Sequence, residues 1–119
     1  MSINLNLNGY VLVSKNLLEK KAGLHYCVRR EAVSELDTGW IFFSRIDDDE
    51  YSANGDNFEF MTYYDAYNTI EPIIALLADL PVGSDVQLCW KWGHPYIADS
   101  RTGKKIEFIE KDGKVTWKI

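Results

Sequence analysis

The chain has 119 residues, which is enough for one domain with a buried core and too few for two. Apolar residues make up 46% and aromatic residues 13% of it, so intrinsic disorder is disfavoured. Thirteen basic against eighteen acidic residues leave a formal net charge of −5. That balance argues against a nucleic-acid partner, because binding to phosphates needs clustered Lys and Arg. It suits a basic partner, or simply solubility.

The cysteine content and the hydropathy pattern bear on where in the cell the protein is found. Cys27 and Cys89 fit no metal or redox spacing, and their apolar neighbours favour reduced, buried thiols. The N-terminus lacks the regions of a signal peptide, and no apolar run approaches the ~20 residues of a membrane span. We therefore expect a cytoplasmic protein with no membrane association.

The N-terminal part predicts a hairpin. Apolar residues alternate with asparagines before Asn8-Gly9, and this dipeptide is a strong signal for a two-residue hairpin turn. The pattern predicts a hairpin over residues 3–14. The alternative is a loose N-terminal tail before a first strand at Tyr10.

A short helix and a strand are predicted next. Ser14 can cap a helix over about 15–22, and Gly23 can supply the left-handed residue that ends it. The alternation from Leu24 to Val28 predicts a strand, and residues 31–38 look like a connection.

The stretch from Asp37 to Tyr51 combines the most apolar and the most acidic parts of the chain. Residues Gly39–Arg45 predict a central strand that is too continuously apolar to have a wet face. We assign Trp40 and Phe43 to the core, and we expect Asp37 to cap the turn at Thr38-Gly39. Residues 47–56 look like a loop, and Phe58 begins another strand, which we expect to run antiparallel to the central one.

The clearest predicted helix spans about 68–79. Asn68 is a reasonable N-cap with Glu71 three residues later, and Pro72 falls in the first turn, where it is tolerated. The helical spacing of its apolar residues predicts a stripe that packs on a sheet. The stripe consists of Ile70, Ile73, Ile74 and Leu77.

The C-terminal part predicts strands and a hairpin. A strand is expected over 86–90, and two more at Tyr96–Ala98 and Lys105–Glu110 around a Ser-Arg-Thr-Gly turn. A turn at Asp112-Gly113 would close the last hairpin. Its register would pair Glu110 with Val115, Phe108 with Trp117, Ile106 with Ile119 and Glu107 with Lys118.

These elements together predict an α+β fold. We expect a mainly antiparallel sheet with one principal amphipathic helix (about 68–79), a short N-terminal helix (about 15–22) and a C-terminal β-hairpin. We expect one domain over residues 1–119.

The acidic run could hold a cation or contact a partner. Calcium takes several carboxylate oxygens from one loop, but Asp47, Asp48, Asp49, Glu50 and Asp56 do not follow the alternate spacing of an EF-hand. Adjacent acids also point in different directions. A solvated loop is therefore favoured over a metal site, and a partner-binding patch is the serious competitor.

Other candidate groups have ordinary explanations. His25 and Cys27 could share a strand face, but a nucleophile pair needs an orienting acid and an oxyanion hole. His94 belongs to turn chemistry after Trp92-Gly93. Trp90 and Trp92 could form an aromatic platform, although packing in the core or a hairpin is the favoured explanation. We therefore predict no enzyme, no cofactor and no metal site.

Several segments together resemble a known family. The most specific series is Asp37-Thr38-Gly39-Trp40, then Phe43-Ser44, the acids to Glu50-Tyr51, and Asp56-Asn57-Phe58. Weaker matches are Gly9-Tyr10-Val11, Ser14, Arg30-Glu31 and Pro81-Val82-Gly83-Ser84. The series resembles a family of small bacterial domains of uncharacterised function that is grouped with the immunity proteins of polymorphic toxin systems.

The resemblance covers about residues 9–85 and leaves about 86–119 as a C-terminal extension. Arg45 follows Phe-Ser where the family commonly has Gly, a departure that affects the expected loop geometry. The resemblance implies a protein-binding role, the neutralisation of a cognate toxin, which could be basic. The alternative is a regulatory domain that binds a small ligand or a metal. The predicted partner-binding residues are Asp47, Asp48, Asp49, Glu50, Tyr51 and Asp56.

Overall fold

The computed structural model describes residues 8–111 and 114–118. The strands are β1 (Tyr10–Ser14), β2 (Leu24–Arg29), β3 (Asp37–Ser44), β4 (Phe58–Thr62), β5 (Asp85–Lys91), β6 (His94–Asp99), β7 (Glu107–Lys111) and β8 (Lys114–Lys118). The α-helices are α1 (Lys15–Leu18), α2 (Asp49–Ser52) and α3 (Tyr63–Thr69), and 3₁₀ helices span Gly55–Asn57 and Pro72–Leu77. No helix in the described part of the chain has the length and apolarity needed to cross a bilayer.

Strands β1 to β6 form one sheet in the order β4-β1-β3-β2-β5-β6, and β7 pairs with β8. The β1 and β3 strands run parallel, whereas the other neighbours in the sheet run antiparallel. The predicted α+β fold is confirmed, with the correction that the sheet is mixed. The strand that begins at Phe58 runs antiparallel to the central strand, as predicted, but the two are not neighbours, because β1 lies between them.

The central strand β3 has no exposed position along its length, so the prediction of a strand without a wet face is confirmed. Trp40 and Phe42 are fully buried in the core. Phe43 was also expected in the core, and this is wrong. Alternate residues of a strand point to opposite faces, and the half-buried Phe43 contacts Phe58 there, with ring centroids 5.5 Å apart.

One face of the sheet is covered by α3 and the 3₁₀ helix Pro72–Leu77. Tyr63 is buried between them, and its hydroxyl donates a hydrogen bond of 2.5 Å to the carbonyl of Ile74. Arg29, on β2, donates to the carbonyls of Ala78 and Leu80 at 3.2 and 2.6 Å. These bonds fix the segment after the 3₁₀ helix against the sheet.

The bounds of the predicted helix over 68–79 are wrong. Helix α3 is capped by Thr62, whose hydroxyl accepts the N–H of Asp65 at 3.1 Å, and it ends at Thr69. Glu71 is extended, with φ −161° and ψ 123°. It precedes Pro72, and the proline ring disfavours a helical conformation in the residue before it. The predicted apolar stripe still packs on the core, with Ile74 and Leu77 fully buried and Ile70 and Ile73 partly buried.

The predicted N-terminal helix over 15–22 is shorter than expected. Ser14 caps it, as predicted, and accepts the N–H of Asn16 at 3.3 Å. The helix ends at Leu18, because the left-handed residue is Lys20 (φ 57°) and not Gly23. The strand predicted over residues 3–7 lies outside the described residues. Strand β1 has a neighbour on each side, β3 and β4.

The register predicted for the C-terminal hairpin is confirmed where it is described. Glu110 pairs with Val115, Phe108 with Trp117 and Glu107 with Lys118. The predicted turn at Asp112-Gly113 and the pair Ile106–Ile119 lie outside the described residues.

Candidate partner-binding site

The acidic segment, residues 47–56, begins with a carboxylate that faces the protein. Oδ1 of Asp47 accepts hydrogen bonds from Nδ2 of Asn16 at 2.8 Å and from Oγ of Ser44 at 2.5 Å, and Oδ2 accepts the N–H of Ser44 at 2.8 Å. Burial raises the pKa of Asp47, but hydrogen bonds from Ser44, Ser14 and Asn16 outweigh it and hold the pKa below its ordinary value. Asp47 therefore ties the end of β3 to α1.

Tyr51 fastens the inner side of α2. Its hydroxyl accepts the N–H of Asn16 and donates to the carbonyl of Asn57, both at 3.2 Å. Nδ2 of Asn57 in turn donates to the Tyr51 carbonyl at 2.8 Å. The ring lies against Phe58, with centroids 6.1 Å apart. Tyr51 is half-buried, and its contact with a partner stays a prediction.

The exposed carboxylates of the segment are those of Asp48, Asp49, Glu50 and Asp56. The predicted loop is wrong here, because Asp48 caps α2 by accepting the N–H of Tyr51 at 2.7 Å. Asp49 and Glu50 occupy the first turn of α2, where negative charge is favourable. Local hydrogen bonds hold part of this backbone, since Ser52 and Ala53 donate their N–H groups to the carbonyls of Asp48 and Asp49. The contact of the four carboxylates with a partner also stays a prediction.

The hypothesis that the acidic segment binds a cation is not supported by the positions of its carboxylates. In the described part of the chain, no group of three or more His, Cys, Asp or Glu side chains could hold a metal ion. The one acid of the run that turns inward, Asp47, is already hydrogen-bonded to Asn16 and Ser44.

The pair His25 and Cys27 lies in two different environments. Cys27 is fully buried in the core, and burial, with the charge of Asp85, raises the pKa of its thiol far above the ordinary value. His25 is half-buried beside Tyr26, and burial together with Arg45 lowers its pKa. A protonated thiol inside the core is a poor nucleophile.

Trp90 and Trp92 are both exposed, so the expectation that they pack in the core or within a hairpin is wrong. Their exposed fractions are 51% and 88%. Lys91 pairs with His94, so Trp92-Gly93 forms the two-residue tip of the β5–β6 hairpin. In the sequence, Gly93 between two strand-like runs was the signal for this turn. The side chain of Trp92 is exposed because a residue at the tip of a hairpin has few neighbours to pack against.

The Asp-Thr-Gly-Trp series of the family resemblance has a structural role. The carboxylate of Asp37 accepts the N–H of Gly39 at 2.9 Å, as expected for a turn cap, and the N–H of Val33 at 3.0 Å. Gly39 has φ +86°, and an added Cβ would lie 2.0 Å from the carbonyl oxygen of Arg30. Only glycine fits this close approach.

A cavity of about 520 Å³ lies at the other end of the sheet from the acidic segment. It is lined by the Pro81–Ser84 loop and the turn after β6, and its charged residues include Asp85, Arg101 and Lys105. Its volume is within the ~300–1,000 Å³ of small-molecule sites.

Comparisons with known proteins identify the family. No curated protein and no solved structure matches the chain. The family model described as "Immunity protein Imm33 domain" matches residues 11–92, which is more than half of the chain. The match includes the Asp-Thr-Gly-Trp series, the acidic segment and β5, and it ends at Trp92. The chain therefore belongs to the Imm33 family of immunity protein domains.

Proposed function

We propose that this protein neutralises a cognate toxin by binding it, and that the exposed carboxylates of the acidic segment contact the toxin. The family match supports the toxin-neutralising role. The arrangement of Asp48, Asp49, Glu50 and Asp56 supports the surface, because these acids are exposed within a short stretch of fixed backbone.

The electrostatics of the segment favour a basic toxin surface. The protein has a formal net charge of −5, and Asp49 and Glu50 project from a helix that Asp47 and Tyr51 hold in place. Clustered charge of one sign speeds the encounter with an oppositely charged partner and fixes its orientation. This effect needs no bond to be made or broken, which suits a family whose members typically are not enzymes.

The setting of this activity is also part of the proposal. We place the protein in the cytoplasm, where the free thiols of Cys27 and Cys89 stay reduced. Residues 1–119 act as a single domain with no nucleic-acid partner, in keeping with the excess of acids.

Co-expression with the toxin encoded beside this gene tests the function. The toxin alone should stop growth, and the pair should restore it. The purified toxin should also retain this protein in a pull-down. If growth is not restored and no complex forms with that toxin, the proposed function is wrong.

A pair of charge reversals tests the surface. Asp49→Lys with Glu50→Lys should slow association roughly 10-fold at low salt and weaken its salt dependence, because rim charges act mainly on the association rate. Glu31→Lys with Glu35→Lys is the matched control, since both are exposed acids and precede β3 at the opposite end of the sheet. Equal effects of the two pairs would show that net charge alone matters and not this segment.

The cavity gives a second candidate function, a regulatory domain that binds a small ligand. Its volume of about 520 Å³ and its mixture of Asp85, Arg101 and Lys105 favour a polar metabolite. A thermal-shift screen separates the two functions, because a ligand that binds the native state raises the melting temperature. A dedicated toxin binder should not respond to metabolites or to calcium.

A further inference from the structure

The tip of the β5–β6 hairpin has an unusual residue in its turn. Trp92 and Gly93 both have positive φ, 55° and 77°, as a two-residue type I′ turn requires. Glycine and asparagine adopt this conformation readily, whereas a bulky residue is an outlier there. The side chain of Trp92 is nevertheless 88% exposed.

No contact among the residues that the structure describes explains a tryptophan at this position. The left-handed conformation is unfavourable for a non-glycine residue, and a ring that is 88% exposed gains too little from burial to offset that cost. Trp90, which precedes the tip on the same hairpin, is also half-exposed at 51%. Outliers of this kind concentrate where a protein meets a ligand or partner.

The hairpin tip and the acidic segment lie at the same end of the sheet. Leu24 pairs with Ser44, so β2 begins where β3 ends, and β5 runs antiparallel to β2, so its last residue, Lys91, points the same way. Ser14 pairs with Phe58, which places the start of β4 at this end too. With neighbouring strands ~4.8 Å apart, the whole end is about 24 Å wide.

That width matches one protein–protein interface. A standard interface takes about 800 Å² from each partner, which is a patch roughly 30 Å across.

The acidic segment and the hairpin tip differ in charge. The acids lie on the β4 and β1 side, whereas exposed Arg45 and Lys91 lie nearer to the hairpin and its tryptophans.

We propose that Trp92, with Trp90 on the same hairpin, is the apolar anchor of the toxin-binding surface. This rests on the proposed function, and the occupant is the cognate toxin. The toxin presents an apolar pocket to the hairpin tip and basic side chains to the acidic segment. Tryptophan is enriched among the few residues that carry most of the binding energy of interfaces, where it fills a pocket that excludes water. The acids then govern the rate of encounter, and the tip governs the lifetime of the complex.

The test uses a substitution that suits the turn. Trp92→Asn removes the ring but is more compatible with φ 55°, so the melting temperature should stay the same or rise. Titration of the toxin encoded beside this gene should show affinity weakened about 30-fold or more, mainly through faster dissociation. Tyr64→Ala is the control. Tyr64 is 58% exposed on α3, after the far end of β4, and its truncation should change affinity less than about 3-fold.

The outcomes separate this proposal from the proposed function. If the wild-type protein binds the toxin and Trp92→Asn binds equally well, the anchor is wrong and the function stands. If ultracentrifugation shows a wild-type dimer that Trp92→Asn dissociates while toxin binding is unchanged, the tip contacts a second copy, and the proposal is again wrong. If the wild-type protein does not bind the toxin at all, the proposed function itself fails.

Discussion

Asp47 and Asp49 are chemically identical acids two residues apart, and the structure predicts opposite consequences for their removal. Asp47 accepts hydrogen bonds of 2.5–2.8 Å from Ser44 and Asn16, whereas Asp49 is exposed. A hydrogen bond to a charged group contributes about 1.5–3 kcal/mol, and such bonds to one carboxylate are not additive. We therefore expect Asp47→Ala to lower the free energy of unfolding by about 3 kcal/mol, part of which is the unsatisfied N–H of buried Ser44.

The expected loss is large enough for calorimetry. The entropy of unfolding is about 2.1 cal/mol/K per residue, so 3 kcal/mol corresponds to a decrease of roughly 12 °C in the melting temperature. Asp49→Ala should cost less than about 0.5 kcal/mol, as for most surface substitutions. Both variants lose one negative charge, so their difference isolates the hydrogen bonds.

The pH dependence gives an independent measurement. Because the pKa of Asp47 is lowered in the folded state, its stabilisation is present above the pKa of the unfolded chain, ~3.9, and is lost as the pH falls through the folded pKa. The difference between wild type and Asp47→Ala should therefore be full at pH 7 and shrink below about pH 4. Equal melting temperatures for the Asp47 and Asp49 variants at pH 7 would refute the structural role of Asp47.

Three further predictions concern the core and the turns. Gly39→Ala should lower the free energy of unfolding by about 3 kcal/mol or more, because its Cβ would meet the carbonyl of Arg30. Gly93 also has positive φ, but a Cβ there would have nothing within 4 Å, so Gly93→Ala should cost about 1 kcal/mol. Urea denaturation measures both losses. Ile74→Asp should leave the chain unfolded by circular dichroism, since it places an unpaired charge at a fully buried site; a native spectrum would contradict the assigned core. Burial raises the pKa of Tyr63, so its contribution is present below the unfolded pKa of ~10 and lost as the pH rises above it. Tyr63→Phe should thus cost about 1–2 kcal/mol at pH 7 and flatten the alkaline loss of stability; an unchanged alkaline slope would oppose this.

Local patterns predicted most strands and two of the side-chain caps, whereas the cap at Asn68 is wrong because Thr62 caps α3. Ser14 and Asp37 make the capping bonds that their side chains suggest, and the register of Phe108 with Trp117 follows from turn and alternation. These features depend on a few neighbouring residues. The family resemblance was also confirmed by the match to the Imm33 domain.

Most of the wrong predictions concern features that the periodicity of one segment does not determine. The stripe at Ile70–Leu77 has a helical period, but Pro72 imposes an extended Glu71 and divides the helix. The pairing of β4 with β1 cannot be deduced from composition, because both strands are apolar and several partners are equivalent in pattern.

The candidate site was only partly predictable. The acids were found from sequence, but not that Asp47 turns inward while its neighbours stay exposed, since this depends on Ser44 and Asn16 from other elements. An exposed platform at Trp92 was considered but ranked below packing, because tryptophan is usually buried or half-buried. The turn that exposes it follows from the pairing of Lys91 with His94.

The position of β1 has a consequence for biosynthesis. The first described strand lies between two strands that are translated later, and Tyr10 pairs with Asp37 on one side and with Thr62 on the other. Non-local pairing of this kind slows folding, because a long loop must close before any contact forms. Most of the chain must therefore leave the ribosome before this sheet can assemble.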